Sequence, residues 1–295
     1  MFERFNRSWA LAKQTFGVMR NQPTLALFPI ISGIATLFVS LSFLAPIAFS
    51  AYQSGMFESG AKTREQIPIW YYIVSFCYYL VSYFVVVFFN VALIHCASKA
   101  LRGEKTSVGE GISVAKSRLG PILGWSLIAA TVGTILKAIS ERVGIVGQII
   151  VALLGGAWNI VTFFVVPSLA LEGIGPVSAI NSSFETIKKA WGETLIGNVG
   201  ISYAMGFLSL LPIPMIIAAC FTQSVWVIVA AIGLAVVVWL GIAILSSCLQ
   251  GIYTAAVFEY ARTGSTPSAF SAQQMQEAFL PKPDGMVSNY MRRNR

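Results

Sequence analysis

The segment at residues 225–245 reads VWVIVAAIGLAVVVWLGIAIL and carries no charged side chain. As a helix rising about 1.5 Å per residue, an apolar run of about 20 residues can cross the roughly 30 Å hydrocarbon core of a bilayer. Similar runs recur along the 295-residue chain, of which 56% is hydrophobic and 11% is charged. A soluble domain carries roughly 25% charged residues. The sequence therefore predicts an all-α, polytopic membrane helix bundle.

Six apolar runs are long enough to serve as transmembrane helices. They cover approximately residues 24–51, 69–98, 120–138, 144–171, 194–219 and 224–260. No long polar segment separates them, so we expect a single transmembrane domain at 1–270 and a cytoplasmic C-terminal tail at 271–295. Pro212 and Pro214 leave two alternatives for the fifth span, a kink or an interruption, because proline removes helical hydrogen bonds.

The basic residues predict the orientation, because Lys and Arg in short loops are retained in the cytoplasm. Six crossings place both termini on one side, and sixteen of the 20 Lys and Arg residues fall on that side. The opposite side holds Lys62, Arg64, Lys137 and Arg142. We therefore expect a multi-pass protein of a prokaryotic cytoplasmic membrane, with cytoplasmic N and C termini.

The net charge of +8 comes from basic residues that lie beside apolar runs. Anionic headgroups attract such residues by about 1 kcal/mol each. We therefore expect the partner to be the lipid bilayer, with anionic headgroups on the cytoplasmic side, and not nucleic acid. The four cysteines lie in or beside apolar runs without CxxC spacing, so no metal or other cofactor is expected.

One pattern recurs in the segments before the three odd-numbered spans. Lys13, Lys116 and Lys188 align, and each precedes an aromatic residue or leucine and then a glycine by three and four residues. In the first and third copies the apolar residues share one helix face, which predicts interfacial helices in the cytoplasmic headgroup plane. The predicted interfacial anchors are Trp9, Lys13, Phe16, Lys116, Phe184, Lys188 and Trp191.

The even-numbered spans all end in Ala-x-x-Gly, with the glycines at Gly103, Gly173 and Gly264. Glycine suits the position just past a helix end, and Ser107, Ser178 and Ser268, which follow these glycines, are candidate caps for the next helix. The predicted unit is an interfacial helix followed by a helical hairpin. Three pseudo-repeats of this unit would cover about 1–103, 104–173 and 174–264.

Three amide side chains lie at similar depth in the even-numbered spans. Asn90, Asn159 and Gln250 precede the repeat glycines by 13 or 14 residues. A buried amide needs hydrogen-bond partners, so the three amides either form a central intramembrane polar cluster or simply join neighbouring helices. Glu172 and Glu259, at the ends of even spans, are interpreted as surface anchors that pair with a basic residue such as Arg262.

The chain contains no phosphate-loop, HExxH or GxSxG motif. Its single histidine, His95, precedes Cys96, and neighbouring residues on a helix point in different directions. A lone histidine does not make a usual zinc site, and no nucleophile pattern accompanies it. We therefore predict that the protein is not an enzyme.

Three segments carry a family resemblance: FERFNRSW at residues 2–9, Leu27-Phe28-Pro29, and VPSLALE at residues 166–172. Through them the chain resembles a family of uncharacterised bacterial and archaeal six-helix membrane proteins, which has no assigned activity. It resembles more remotely the membrane domain attached to some bacterial glycerophosphodiester phosphodiesterases, without their phosphodiesterase domain.

The pseudo-repeats and the amides favour one functional class, the non-enzymatic transport or permeation of an unidentified solute or lipid. The alternative is a membrane scaffold organised by the cytoplasmic interfacial helices, which would bind a protein partner or form a homo-oligomer.

Overall fold

The computed structural model describes residues 13–53, 69–189 and 205–264. These ranges are helical and contain no strand, so the all-α prediction is confirmed. The helices are α1 (13–21), α2 (Leu27–Gln53, after a 3-10 turn at Pro23–Ala26), α3 (Ile69–Leu101), α4 (Val108–Ser117), α5 (Leu119–Ser140), α6 (Ile145–Val161), α7 (Pro176–Lys189), α8 (Pro212–Phe221) and α9 (Val225–Thr263). Between α6 and α7 lie a short α-helical turn, Val165–Pro167, and a π-helix, Ser168–Glu172.

Five described segments are long and apolar enough to cross a membrane. They are Pro23–Phe49, Ile73–Leu101, Leu119–Ser140, Ile145–Glu172 and Val225–Thr263. The predicted span at 194–219 begins outside the described residues, and its described part belongs to a shorter apolar helix, Met205–Phe221. Within it the amides of Leu210 and Leu211 bond three residues back, and α8 begins at Pro212. The prolines therefore coincide with a tighter turn, and proline suits the first position of the helix that follows.

Helix α3 lies at the centre of the bundle and packs against α2, α4, α5, α9 and the π-helix. Its last three turns are buried, with Val91, Leu93, Cys96 and Ala97 fully inaccessible. Small residues such as Ala97 let neighbouring helix backbones approach closely there. Because these turns are the last of α3, the core lies at one end of the bundle. We call it the basic end, because it holds Lys99, Arg102, Lys116, Arg118 and Arg262.

In several helices the half that lies away from the basic end exposes apolar side chains, and we call it the outer half. On α6, Ile145 is 79% and Leu153 69% exposed, and on α9 Trp226 is 84% exposed. A helix surface of this kind is stable only in contact with an apolar medium. The exposed outer halves are therefore the surface that hydrocarbon chains cover.

The three Ala-x-x-Gly segments end as the sequence predicts. Gly103, Gly173 and Gly264 have φ angles of +80°, +70° and +68°, and only glycine adopts this region without steric cost. The threefold relation between the complete units stays a prediction.

The candidate caps after these glycines differ. Ser107 caps α4 by accepting a hydrogen bond from the Glu110 amide at 3.2 Å. Ser178 is not a cap, and this prediction was wrong: α7 already begins at Pro176, whose fixed φ suits a first helical position. Ser268 lies outside the described residues.

Gly111 is the point where α4 packs against α2 and α3. A Cβ atom there would lie 2.6 Å from the Phe28 ring and 2.8 Å from Cys96 Sγ, whereas at Gly109 it would meet only Ser107 Oγ at 4.0 Å. Alanine favours a helix over glycine by about 1 kcal/mol at either position. We expect Gly109→Ala to preserve or raise the melting temperature and Gly111→Ala to lower it, because overpacking costs about 1–3 kcal/mol. Thermal unfolding in detergent measures both, and equal shifts would contradict the close packing.

Candidate functional site

A cavity of about 350 Å³ lies between α2, α3 and α9. One face of each helix lines it, since the lining residues recur at spacings of three or four. They are Phe28, Pro29, Ser32, Gly33 and Thr36 from α2, Val86, Phe89 and Asn90 from α3, and Leu240, Ala243, Ile244 and Ser247 from α9. We call this space the Asn90 cavity.

The position of Asn90 along α3 indicates how deep in the membrane the cavity lies. It precedes Leu101, the last residue of α3, by eleven residues, which corresponds to about 16 Å along a helix. This distance is about half the hydrocarbon thickness of a bilayer. Ser32, Thr36 and Ser247 add three hydroxyl-bearing residues to the lining, and none of the lining residues is charged.

The other two predicted amides do not line the Asn90 cavity. The Gln250 amide donates to Ser246 Oγ of its own helix at 2.9 Å. Asn159 is exposed on α6, which packs mainly against α5 and α7. No hydrogen bond joins any two of these three described amides. The structure therefore brings Asn90 together with hydroxyl groups that the sequence reasoning missed.

A signal for these hydroxyl groups is present in the sequence. Ser32, Thr36 and Ser40 recur every four residues along α2, which places them on one helix face. Ser40 Oγ donates to the Thr36 carbonyl at 2.8 Å and lies 3.1 Å from the Tyr78 hydroxyl of α3. The polar stripe of α2 thus faces α3 and forms part of the cavity wall.

Ion pairs join the helix ends at the basic end. Arg102 of α3 lies 3.1 Å from the Glu259 carboxylate of α9, and Ser98 donates to the same carboxylate at 3.2 Å. Arg262 of α9 pairs with Glu172 at the end of the π-helix. Glu172 and Glu259 thus take basic partners, and these contacts tie the ends of three apolar spans together.

His95 belongs to a third charged contact. Its Nε2 lies 3.7 Å from Glu110 Oε1, and the Lys99 ammonium lies 2.6 Å from the same oxygen. The hydrogen bond from Lys99 holds the pKa of the Glu110 carboxyl below its usual range. Cys96 instead donates from Sγ to the Ser107 carbonyl. His95 and Cys96 therefore contact different groups of α4 and its cap, as expected for adjacent helix residues.

The helix of the fourth apolar span is interrupted, and a side chain of α7 hydrogen-bonds to the backbone groups at the interruption. Helix α6 ends at Val161, and turns at 162–164 precede the next helical turn at Val165. A break in a membrane helix frees backbone groups that need new partners. Ser183 of α7 is fully buried; its Oγ accepts from the Phe164 amide at 3.0 Å and donates to the Val161 carbonyl at 2.6 Å.

The π-helix provides a second contact between distant segments. The Gly173 amide donates to the Ser168 carbonyl at 3.2 Å, five residues back, and not to Leu169 as in an α-helix. The Leu169 carbonyl instead accepts a hydrogen bond from the Arg118 guanidinium. A Cβ on Gly173 would lie 2.9 Å from Arg118 Nη1. The π-turn thus attaches the beginning of α5 to the end of the fourth span.

Five of the predicted interfacial anchors are described, and all five are exposed: Lys13, Phe16, Lys116, Phe184 and Lys188. Trp9 and Trp191 lie outside the described residues. The Lys188 ammonium sits 4.2 Å from the centroid of the Phe184 ring. Helix α7 packs on the bundle through Ala179, Ser183 and Thr186 and leaves Val177 and Phe184 exposed.

No metal-binding arrangement is evident in residues 13–53, 69–189 and 205–264, where no three His, Cys, Asp or Glu side chains come together. Chemically, the described polar groups can form hydrogen bonds in the Asn90 cavity and ion pairs at the basic end.

Comparison with known proteins places the chain in a family but gives it no activity. No match is found among curated proteins. A family of unknown function, DUF6159, matches residues 69–268, which is more than half of the chain. The match agrees with the resemblance to an uncharacterised membrane family. The five apolar helices and this match together identify the chain as an integral membrane protein that belongs to DUF6159, a family of unknown function.

Proposed function

We propose that the protein is a non-enzymatic transport or permeation protein, and that a solute or lipid enters the Asn90 cavity. The observation that supports this is the combination of space and polarity at membrane depth. A cavity of about 350 Å³ is lined by one asparagine and by Ser32, Thr36 and Ser247, although polar groups in hydrocarbon are costly unless they have partners. Ligand cavities are of similar size, roughly 300–1,000 Å³.

We infer that the basic end faces the cytoplasm and that the chain crosses the membrane six times. The excess of Lys and Arg at this end supports the orientation, and the shorter apolar helix Met205–Phe221 lies within the predicted fifth span, which completes the count of six. Both termini would then be cytoplasmic, in a prokaryotic cell membrane. A C-terminal fluorescent protein should therefore fold and emit light in cells, whereas a C-terminal fusion active only in the periplasm would refute this topology.

Gly33 offers a direct test of transport. A Cβ on Gly33 meets no atom within 4 Å, and Gly33 lines the Asn90 cavity; Gly241 of α9 is equally open but does not line it. We expect Gly33→Trp to fill the cavity and to slow permeation about tenfold or more, which corresponds to at least about 1.4 kcal/mol. Gly241→Trp should leave the rate unchanged.

The assay uses the full-length protein in lipid vesicles. Translocation of a fluorescent lipid is followed by dithionite quenching, and permeation of a neutral solute by its efflux. Both variants must elute as folded, monodisperse protein. Rates equal to those of protein-free vesicles for wild type, or equal slowing by both substitutions, would count against transport through the Asn90 cavity.

A scaffold is the second candidate, because α7 packs through small and hydroxyl residues and presents Val177, 64% exposed, and Phe184 on its outer face. Such a face inserts into a headgroup layer or binds a partner helix. A photoreactive amino acid at Val177 should capture one specific protein if α7 is a scaffold surface. Capture of lipid alone would exclude this function.

A further inference from the structure

The amide group of Asn90 indicates what the cavity binds. The half-buried Asn90 side chain lines the cavity, and no described residue is hydrogen-bonded to its amide. It shares the lining with the half-buried Ser32 and Ser247 side chains. A ligand group that hydrogen-bonds to Asn90 would remove the cost of an unpaired polar group in an apolar medium.

The cavity offers no counter-charge for an ionised ligand. None of the residues that line it is charged, and Asn90 lies eleven residues from the end of α3. A carboxylate or phosphate at that depth would lose its hydration without an opposite charge to replace it. A hydroxyl or carbonyl group suits the site better, because the asparagine amide both donates and accepts hydrogen bonds.

The remaining wall and the opening point to a ligand from the bilayer. Phe28, Phe89 and Ile244 make most of the wall apolar, and the rim residues Gly33 and Leu240 are exposed. Helices α2 and α9 pack more extensively on α3 than on each other. The cavity is therefore open between α2 and α9, on the surface that hydrocarbon chains cover.

We propose that the Asn90 cavity binds an uncharged amphiphile from the bilayer, namely a hydrocarbon chain with a single hydroxyl or carbonyl group. The polar group hydrogen-bonds to Asn90, and the chain lies along the apolar wall toward the gap between α2 and α9. This proposal rests on the proposed function, because it names the ligand class of the same cavity.

The test uses three photoreactive probes and the full-length protein in phosphatidylcholine nanodiscs. The probes carry a diazirine at the same position of the same chain and differ at one end, which is an alcohol, a carboxylate or a methyl group. We expect the alcohol to label α2 and α9 residues of the cavity saturably, as located by mass spectrometry. Unlabelled long-chain alcohol should compete with it, and the other two probes should label at least fivefold less, about the effect of one hydrogen bond.

A substitution of similar size removes the proposed hydrogen bond. Asn90→Leu should weaken competition by the alcohol about five- to tenfold. Asn159→Leu removes an exposed amide outside the cavity and should leave competition unchanged. Both variants are compared with the unchanged protein at equal folded concentration.

Each alternative outcome overturns a defined statement. Equal saturable labelling by the methyl-ended probe would overturn recognition by hydrogen bonds, and stronger labelling by the carboxylate would overturn the uncharged class. Both would leave the cavity as a site and the proposed function intact. If labelling of the cavity is absent while Gly33→Trp still slows permeation, the ligand class alone is refuted. If both effects are absent, the proposed function also fails.

Discussion

Ser183→Ala is expected to destabilise the protein more than any other hydroxyl deletion in α7. Ser183 is fully buried, and its single oxygen serves both the Phe164 amide and the Val161 carbonyl across the break in the fourth span. Alanine leaves both backbone groups without a partner in an apolar region. Each unsatisfied group costs about 1–3 kcal/mol, so the expected loss is about 2–6 kcal/mol.

Ser178→Ala is the matched control, because Ser178 is an exposed residue of the same helix. Both changes replace serine by alanine in a helix, so the gain in helix propensity cancels in the comparison. Thermal unfolding in detergent, followed by tryptophan fluorescence, should show a large decrease for Ser183→Ala and a change within about 0.5 kcal/mol for Ser178→Ala. Similar unfolding curves for the two variants would mean that Ser183 does not stabilise the Phe164 amide and the Val161 carbonyl at the break.

Gly251→Val is expected to separate α9 from α3. A Cβ on Gly251 would lie 2.5 Å from Leu93 Cδ2, and Leu93 is fully buried. Valine adds two further carbon atoms at this contact, and overpacking of this kind costs about 1–3 kcal/mol. Gly241→Val, ten residues earlier in the same helix and with no atom within 4 Å of its Cβ position, should change the melting temperature far less.

A double substitution tests whether position 251 of α9 and Leu93 of α3 are in direct contact. Leu93→Ala alone opens a cavity and should cost about 2–5 kcal/mol. In the pair Leu93→Ala and Gly251→Val, valine occupies part of the vacated space, so the combined loss should be smaller than the sum of the single losses by at least about 0.5 kcal/mol. Additive losses would show that the two side chains do not meet.

The helices and their ends were predictable because their signals are local. Length and apolar content identify a span, and the left-handed backbone at Gly103, Gly173 and Gly264 strongly favours glycine. The break at 162–164 has a local signal in Pro167, which cannot donate to the carbonyl of Phe163 four residues earlier and crowds it. The role of Ser183 was hidden, because it depends on which distant segment packs against the break.

The amides show why depth alone does not predict a shared site. Counting from the glycine at the helix end fixes the height of Asn159, but each added residue also turns its side chain by about 100° around the helix axis. The break at 162–164 and the π-turn at Ser168–Glu172 lie between Asn159 and Gly173 and change that rotation. Asn159 therefore points to a direction that the sequence spacing did not predict.

The concentration of the core at the basic end gives the molecule an unequal stiffness across the bilayer. There, α3 is surrounded by α2, α4, α5 and α9, whereas apolar side chains at the outer ends of α6 and α9 are largely exposed. Lateral pressure in one leaflet thus acts on a tightly packed unit, and in the other leaflet it acts on helices with larger exposed surfaces. A change in the tension of the second leaflet would shift those helices more easily than the packed end.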